Sequence, residues 1–389
     1  MFQHEEKISF RGIEVRKGLT IDIPQANYRL GGHHIGHFKF SVAPSYSLLY
    51  PKIKPMVLQK RWSTFSIIGF EFPYEYSNKV LGDHEISFRI NGDEESLKVA
   101  CLLEENGTTD YENQVTARLD IHPNILVSDW DTHPLADWWV ALCSLAIGRY
   151  IEWTRGVLPR NDEFFYEERW MYRLSRSSRQ NFKSPIITPH LSSKNLGDLQ
   201  DFVSQAIETI LNSGHNPEYW GKYLLPIITY VEYCSLRVTR FGQARLVTTL
   251  TEELLGIWGR EHNLKNLVQA IPKSNLNDEK PRMSNLRHRL YAFFTYYGYD
   301  PFSSNRLQRR IKAFVGTRNS IAHAGTFECN NPDPKVRAKQ IFLFSHQNNA
   351  ELHEYENALM MLPLMLFCIL EYKDKYNDFV YGDNQYWIP

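Results

Sequence analysis

The chain has 389 residues, of which 43% are hydrophobic and 23% are charged, values typical of a globular protein with room for two or three domains. Its 44 basic and 44 acidic residues cancel, so no overall electrostatic field draws the protein to nucleic acid or to a membrane surface. Any contact with nucleic acid must therefore come from a local basic patch.

Residues 1–128 alternate apolar and polar side chains, a pattern that predicts β-strands. The alternating runs lie at 8–10, 19–23, 38–42, 86–90 and 115–121. Asn91-Gly92, followed by the apolar run 97–100, predicts a hairpin with a slightly long loop. We therefore expect a β-rich N-terminal domain of the sandwich or barrel type.

The periodicity changes from strand-like to helical at Pro134. Apolar residues recur at helix spacing in a segment running toward Trp153, and residues 129–200 are predicted as a mixed helical linker region. Residues 201–389 are predicted as an α-helical domain, which makes the fold class α+β. Candidate helices cover roughly 198–212, 219–238, 240–259, 284–297, 303–323 and 352–376.

The cysteines and the apolar runs of the sequence indicate the cellular compartment of the protein. The five cysteines are scattered without a C-x-x-C pair, which favours a reducing compartment over a disulfide framework or zinc cluster. The first seven residues, M-F-Q-H-E-E-K, are too polar for a signal peptide. The longest apolar run, 358–370, contains Pro363 and is too short to span a bilayer, so it predicts a buried helix. We expect a cytoplasmic protein without membrane contact.

The most informative stretch is R-N-S-I-A-H at 318–323, at the end of the helix predicted over 303–323. Ser303 or Ser304 can cap the start of this helix, and Gly325 lies where a glycine would close it. At about 100° per residue, Arg318 falls near the centre of an apolar stripe. The stripe consists of Leu307, Ile311, Phe314, Val315, Ile321 and Ala322.

An arginine within an apolar stripe keeps its charge and needs an acidic partner or an anionic ligand. Glu252 and Glu253, on the helix predicted over 240–259, are both candidate partners for Arg318. Asn319 and His323 are four residues apart and lie together along the edge of the stripe. His323 either serves as a general acid–base group or caps the last carbonyls of the helix.

Arginine followed closely by histidine is a weak pattern by itself, because the chain repeats it twice. Arg29 and His34 flank a glycine turn, and the segment from Arg282 to His288 begins in a proline loop. In neither place does asparagine follow the arginine within a continuous helix. The 318–323 stretch is distinguished by its helical setting and not by its spacing.

These residues resemble the motif of the HEPN superfamily, in which arginine, usually a polar residue, and then histidine lie a few positions apart. The similarity extends over roughly 215–380 and includes the acidic helix R-L-V-T-T-L-T-E-E-L-L-G at 245–256. That helix lacks the family's usual Ala-Leu-Glu order, so the glutamate that pairs with arginine is left open. A β-rich part followed by a C-terminal HEPN helical bundle looks most like ApeA-type abortive-infection proteins of bacterial antiphage defence.

The resemblance implies a toxic, metal-independent endoribonuclease that uses no cofactor. His323 would deprotonate the ribose 2′-hydroxyl or protonate the leaving 5′-oxygen, and Arg318 would bind the scissile phosphate. Asn319 would orient the phosphate or the histidine. The expected products carry a 2′,3′-cyclic phosphate and a 5′-hydroxyl. The alternative is a non-catalytic HEPN module that binds a nucleotide or a partner.

The expected partners follow from the same resemblance. The substrate is RNA, with tRNA as one candidate, and a phage-derived trigger is expected at the N-terminal domain. HEPN domains generally dimerise with their motif helices facing each other. Arg318 and His323 are about 140° apart around one helix, so two copies could complete each other's site. We therefore expect a homodimer through the HEPN helices.

Two further patterns have open interpretations. Basic residues that could bind the RNA backbone are Arg309, Arg310 and Lys312 in the motif helix and Arg173, Arg176 and Arg179 upstream. The upstream series is also compatible with a solvated basic face. The sequence G-G-H-H-I-G-H at 31–37 lacks a clear fourth ligand, so a glycine-rich turn with surface histidines is preferred to a metal site.

Overall fold

The computed structural model describes residues 8–15, 19–30, 36–41, 62–70, 85–101, 117–127, 130–160, 163–170, 186–187, 197–236, 238–276, 279–303, 305–338, 349–380 and 382–386. Backbone contacts divide the chain into two compact units. The first unit comprises 1–143, 150–180 and 191–211, and the second comprises 144–149, 181–190 and 212–389. An antiparallel sheet in the N-terminal part and a mostly helical C-terminal part give the α+β class that the sequence predicts.

A nine-stranded sheet organises the first unit, and every neighbouring pair of strands is antiparallel. The order across the sheet is β1-β2-β3-β9-β8-β4-β7-β6-β5. The strands are β1 (Ile8–Val15), β2 (Leu19–Leu30), β3 (Gly36–Ser41), β4 (Ser63–Ile68), β5 (Glu85–Ile90), β6 (Asp93–Cys101), β7 (Ala117–Ile121), β8 (Glu152–Arg160) and β9 (Glu163–Trp170).

The hairpin between β5 and β6 has a tighter turn than the sequence predicts. Asn91 and Gly92 adopt φ angles of 51° and 81°, and Ile90 pairs directly with Asp93. Two central residues with positive φ form the two-residue turn that matches the twist of antiparallel strands. Asparagine and glycine tolerate this conformation better than other residues, so the N-G pair determines the turn.

The range 129–200 differs from the predicted mixed helical linker, because β8 and β9 pair within the sheet. Helix α1 (Thr132–Ile147) ends before Gly148, which adopts a φ of 68°, and does not continue toward Trp153. Trp153 lies instead on β8, where its indole Nε1 donates a hydrogen bond to Asp137 Oδ1 at 2.8 Å. Trp139 of α1 packs against Phe70 and Phe88 in the core of the first unit.

The remaining helices of the described residues match the predicted ones closely up to the last, except for two short helices, 264–269 and 334–337, which are not predicted. They are α2 (Asp198–Asn212), α3 (Pro217–Ser235), α4 (Arg240–Glu261), α5 (Leu264–Gln269), α6 (Leu286–Tyr296), α7 (Asn305–Ala324), α8 (Pro334–Arg337) and α9 (Ala350–Ile369). The helix predicted over 352–376 is wrong at its C-terminal end. Glu371 adopts a φ of 57°, and the chain then forms β10 (Lys375–Asp378), which pairs with β11 (Gly382–Tyr386).

Helix α9 forms the core of the second unit and packs against α4 and α7. Every residue from 357 to 369 is buried, so the predicted buried helix is confirmed. Across the residues that the structure describes, no helix combines the length and the apolar character needed to cross a membrane. Because α4 and α7 both lie against α9, their facing side chains are held in fixed register.

Candidate functional site

Helix α7 carries the 318–323 stretch. The face of α7 that is buried overlaps the predicted apolar stripe only in part. Leu307, Ile311, Phe314 and Ile321 are buried as predicted, whereas Val315 is half-buried and Ala322 is exposed. The polar residues Thr317 and Ser320 are buried instead. Arg318 therefore lies at the edge of the buried face, with its side chain 30% exposed.

The sequence suggests a serine cap at the start of α7 and a closing glycine at its end. Gly325 adopts a φ of 67° directly after the helix, which is the left-handed conformation of a closing glycine. At the start, Ser303 Oγ donates a hydrogen bond to Asp300 Oδ2 at 2.6 Å, and Ser304 lies outside the described residues.

Glu252 of α4 holds the Arg318 guanidinium through both of its oxygens. Arg318 Nε donates to Oε1, and Arg318 Nη2 donates to Oε2 at 3.1 Å. Paired hydrogen bonds between a guanidinium and a carboxylate are among the strongest and most directional in proteins. The structure thus resolves the choice between the two glutamates: Glu252 pairs with Arg318, and the neighbouring Glu253 is exposed.

Two more side chains adjoin this ion pair. Arg289 of α6 donates from Nη2 to Glu252 Oε2 at 3.4 Å, so one carboxylate faces two guanidinium groups. Arg318 Nη1 donates to Asn319 Oδ1 at 3.1 Å, which orients the exposed amide of Asn319. His323 is exposed in the last turn of α7. Arg318 and Asn319 are therefore in contact, whereas His323 lies one turn further along.

A surface cavity of about 510 Å³ opens between α4, α6 and α7, and Arg318 lies in its wall. Three arginines and two glutamates contribute to the lining, which leaves a formal charge of +1 on the cavity. His323 and Asn319 do not line it. The lining residues are Arg245, Thr248, Thr249, Glu252, Glu253, Arg289, Arg318, Ile321 and Ala322.

Two buried glutamates, Glu328 and Glu354, lie beside α7 close to Arg318, and the sequence pattern does not predict them. Glu354 of α9 accepts hydrogen bonds from the backbone N–H groups of Glu328 (2.6 Å) and Cys329 (2.8 Å). It also accepts one from Thr317 Oγ1 at 3.3 Å. Burial raises the pKa of Glu354. Burial, and secondarily the charge of Glu354, raises the pKa of Glu328 to about 7.

The basic residues predicted to bind RNA are in different environments. Arg309 is exposed, and Lys312 is half-buried and donates to Gln308 Oε1 at 3.0 Å. Arg310 is buried, and its Nη2 donates to both oxygens of Asp378 at 2.7 and 2.8 Å. A buried guanidinium bound to a carboxylate does not offer its charge to RNA, so the placement of Arg310 does not fit its predicted role. The predicted residues Arg173, Arg176 and Arg179 lie outside the described residues.

In the second arginine–histidine pair, Arg282 and His288, the histidine has a structural role. His288 is buried, and its Nδ1 accepts a hydrogen bond from the backbone N–H of Arg282 at 3.1 Å. Burial lowers the pKa of His288. This histidine holds the loop before α6 in place, whereas the exposed His323 is accessible to a ligand.

Within the described ranges, no group of three or more His, Cys, Asp or Glu side chains is arranged to hold a metal ion. Of the 31–37 histidine stretch, the structure describes only the backbone of residues 36 and 37, in β3. No family model, curated protein or solved structure matches the chain.

Proposed function

We propose that the chain is a metal-independent endoribonuclease of the HEPN type that acts in bacterial antiphage defence. The observation that carries the proposal is the Arg318–Glu252 pair in the wall of a cationic cavity. A carboxylate fixes the Nε–Nη2 edge of the guanidinium, and one of the two N–H groups of Nη1 donates to Asn319 Oδ1, so the second N–H group of Nη1 stays available for another acceptor. Such preorganised donors stabilise charge that develops on a phosphate during cleavage.

In this proposal, cleavage proceeds by attack of the ribose 2′-oxygen on the adjacent phosphorus. His323 accepts the 2′-hydroxyl proton, the O2′–P bond forms, and the bond from phosphorus to the 5′-oxygen breaks. Arg318 stabilises the additional negative charge on the phosphate oxygens, and Asn319 orients the phosphate. The leaving 5′-oxygen takes up a proton from water, and His323 returns its proton to water, so the products are a 2′,3′-cyclic phosphate and a 5′-hydroxyl.

Homodimerisation is part of the proposal because one chain does not direct His323 into its own cavity. Arg318 lines the cavity, whereas His323 lies outside the lining and about 140° further around α7. Two motif helices facing each other across a two-fold axis would bring His323 of one chain to the cavity of the other. The N-terminal β-rich domain would then sense a phage-derived trigger.

RNA cleavage in the presence of EDTA tests the proposal. Wild type, Arg318→Ala and His323→Ala are incubated with total RNA and with tRNA, and the ends of the fragments are analysed. We expect wild type to produce cyclic phosphate and 5′-hydroxyl ends, and each variant to cleave at least about 100-fold more slowly. A wild type that leaves every RNA pool intact, or variants that cleave as fast as wild type, would refute the ribonuclease.

One observation favours a second function, a non-catalytic HEPN module that binds a nucleotide or a partner. The cavity combines three arginines but lacks the histidine that cleavage requires. A nucleotide phosphate could bind there without being cleaved. In this case the wild type would bind nucleotide in calorimetry, Arg318→Ala would not, and neither protein would cut RNA.

A further inference from the structure

The cavity holds more positive charge than the anchoring of Arg318 requires. Glu252 already balances the Arg318 charge through two hydrogen bonds. Arg289 reaches the same carboxylate only through one longer contact of 3.4 Å, and its buried Nε has no hydrogen-bond partner among the described residues. Arg289 is therefore incompletely satisfied by the protein itself.

Arg245 is the third cation of the cavity and is exposed. In the described part of the chain, no ion pair or side-chain hydrogen bond of Arg245 is formed. Arg245 precedes Glu252 by seven residues on α4, which corresponds to two helical turns on one face and about 10 Å along the axis. Two positive centres, Arg289 with Arg318 and Arg245 alone, are thus spaced along one wall.

The hydroxyl groups of this wall do not compete for the same ligand. Thr248 Oγ1 and Thr249 Oγ1 each donate a hydrogen bond of 3.0 Å to the backbone oxygen of Arg245. Their protons are therefore used within the helix. Recognition of a ligand at this wall therefore depends on the guanidinium groups, which bind phosphate oxygens more strongly than neutral donors do.

We propose that Arg245 provides a second phosphate subsite in the cavity, which binds a phosphate next to the one held by Arg289 and Arg318. The ligand is a chain with at least two phosphates, and its identification as RNA rests on the proposed ribonuclease function. Glu253, exposed in the same lining, repels this ligand and limits its affinity. The cavity therefore takes two phosphate groups when both positive centres are occupied.

Binding measured by calorimetry tests the subsite independently of cleavage. The probes are inorganic phosphate, pyrophosphate and an eight-nucleotide DNA oligonucleotide, which lacks the attacking 2′-hydroxyl and stays intact. We expect Arg245→Gln and Arg289→Gln each to weaken oligonucleotide binding about 10-fold. Glu253→Gln should tighten it a few-fold, and inorganic phosphate should respond little to Arg245→Gln because one ion occupies only one centre.

The matched control is Arg260→Gln, which removes an exposed arginine of the same helix outside the cavity. This control should bind the oligonucleotide like wild type. The slope of log K against log salt concentration should become shallower by about 0.7 for each cavity arginine removed. Thermal unfolding of every variant verifies that binding losses do not arise from unfolding.

The outcomes separate the subsite from the ribonuclease. If wild type cleaves RNA but Arg245→Gln and Arg289→Gln bind the oligonucleotide as Arg260→Gln does, the subsite is wrong and the function stands. If no RNA is cleaved but the two cavity variants lose oligonucleotide or pyrophosphate affinity, the subsite stands and the function fails. Tighter binding by Arg245→Gln would also overturn the subsite.

Discussion

Two glutamates contact adjacent residues of α7 in opposite environments. Glu252 binds Arg318 at the wall of an open cavity, and its side chain is 20% exposed. Glu354 binds Thr317 in the interior, is 6% exposed, and accepts hydrogen bonds from two backbone N–H groups. The same side-chain type therefore orients a guanidinium at one residue of α7 and joins the helix to the following loop at the neighbouring residue.

This difference predicts which property each carboxylate controls. Pairing with arginines at the surface contributes little to stability but fixes the direction of the guanidinium. A buried carboxylate that accepts backbone hydrogen bonds is costly to remove, because the donors lose their partner. We expect changes at Glu252 to affect activity more than stability, and changes at Glu354 to affect stability first.

Glu252→Gln gives the largest expected effect. An amide keeps one acceptor oxygen but cannot bind both Nε and Nη2 of Arg318, so the guanidinium loses its fixed direction. We expect RNA cleavage to fall about 100- to 1000-fold, while the free energy of unfolding changes by at most about 1 kcal/mol. Cleavage rates and urea unfolding measure the two effects.

The neighbouring Glu253→Gln is the matched control for that variant, because Glu253 is exposed and does not pair with Arg318. It should keep the wild-type cleavage rate or exceed it. Equal losses in Glu252→Gln and Glu253→Gln would show that total charge, and not the geometry of one ion pair, is what matters.

Glu354→Ala should show the opposite pattern. It leaves the backbone N–H groups of Glu328 and Cys329 without their acceptor and opens space in the core. We expect the free energy of unfolding to fall by about 2–3 kcal/mol. Urea unfolding monitored by far-UV circular dichroism tests this. Cleavage per folded molecule should stay within a few-fold of wild type, and a larger specific loss would contradict the division of roles.

The pH dependence of stability sharpens the comparison further. Glu328 has a pKa of about 7 in the folded protein, against an ordinary value of 4.5. The folded state therefore binds this proton more tightly than the unfolded chain does, so the stabilisation is complete below pH 4.5 and is lost as the pH rises through about 7.

Glu328→Gln removes this titration. We expect the variant to be more stable than wild type at pH 8, by about 1–3 kcal/mol, and the two proteins to converge near pH 4.5. Urea midpoints measured between pH 4.5 and 8 give the comparison. Parallel curves for the two proteins would show that Glu328 does not titrate in this range.

Gly316 provides the smallest expected effect. A Cβ atom at this position of α7 would clash with the Glu328 carboxylate, whereas one at Gly221 of α3 would meet no atom within 4 Å. Gly221→Ala should stabilise the protein by up to about 1 kcal/mol, as alanine does in helix interiors. Gly316→Ala should instead destabilise it by about 1 kcal/mol. Thermal melting of the two variants reads out the opposite signs.

The sequence predicts the helices well because apolar periodicity and caps act locally. The predicted ranges 198–212 and 240–259 agree with α2 and α4 to within two residues. Strands β8 and β9 are not predicted, since Gly156 and Pro159 interrupt the β8 pattern. Their place in the sheet depends on pairing with β4 and β3, which lie far away in the sequence.

The site is predicted in part for similar reasons. Helix spacing identifies Arg318 and a glutamate on α4, but only the packing of α4 on α7 selects Glu252 over Glu253. Arg289 is not predicted, because nothing in the sequence of α6 indicates that Arg289 faces the cavity. The Glu328–Glu354 pair is not predicted either, because it depends on a short 3₁₀ helix, Glu328–Asn330, that places Glu328 against Glu354 of α9.

A mixed dimer tests most directly whether Arg318 of one chain and His323 of another form one site. Arg318→Ala and His323→Ala are co-expressed with different affinity tags, and the dimer that carries both tags is purified. One of its two sites then has both groups intact, so we predict about half of the wild-type RNA cleavage rate, while each variant alone is inactive. A mixed dimer as inactive as either variant alone would contradict the account.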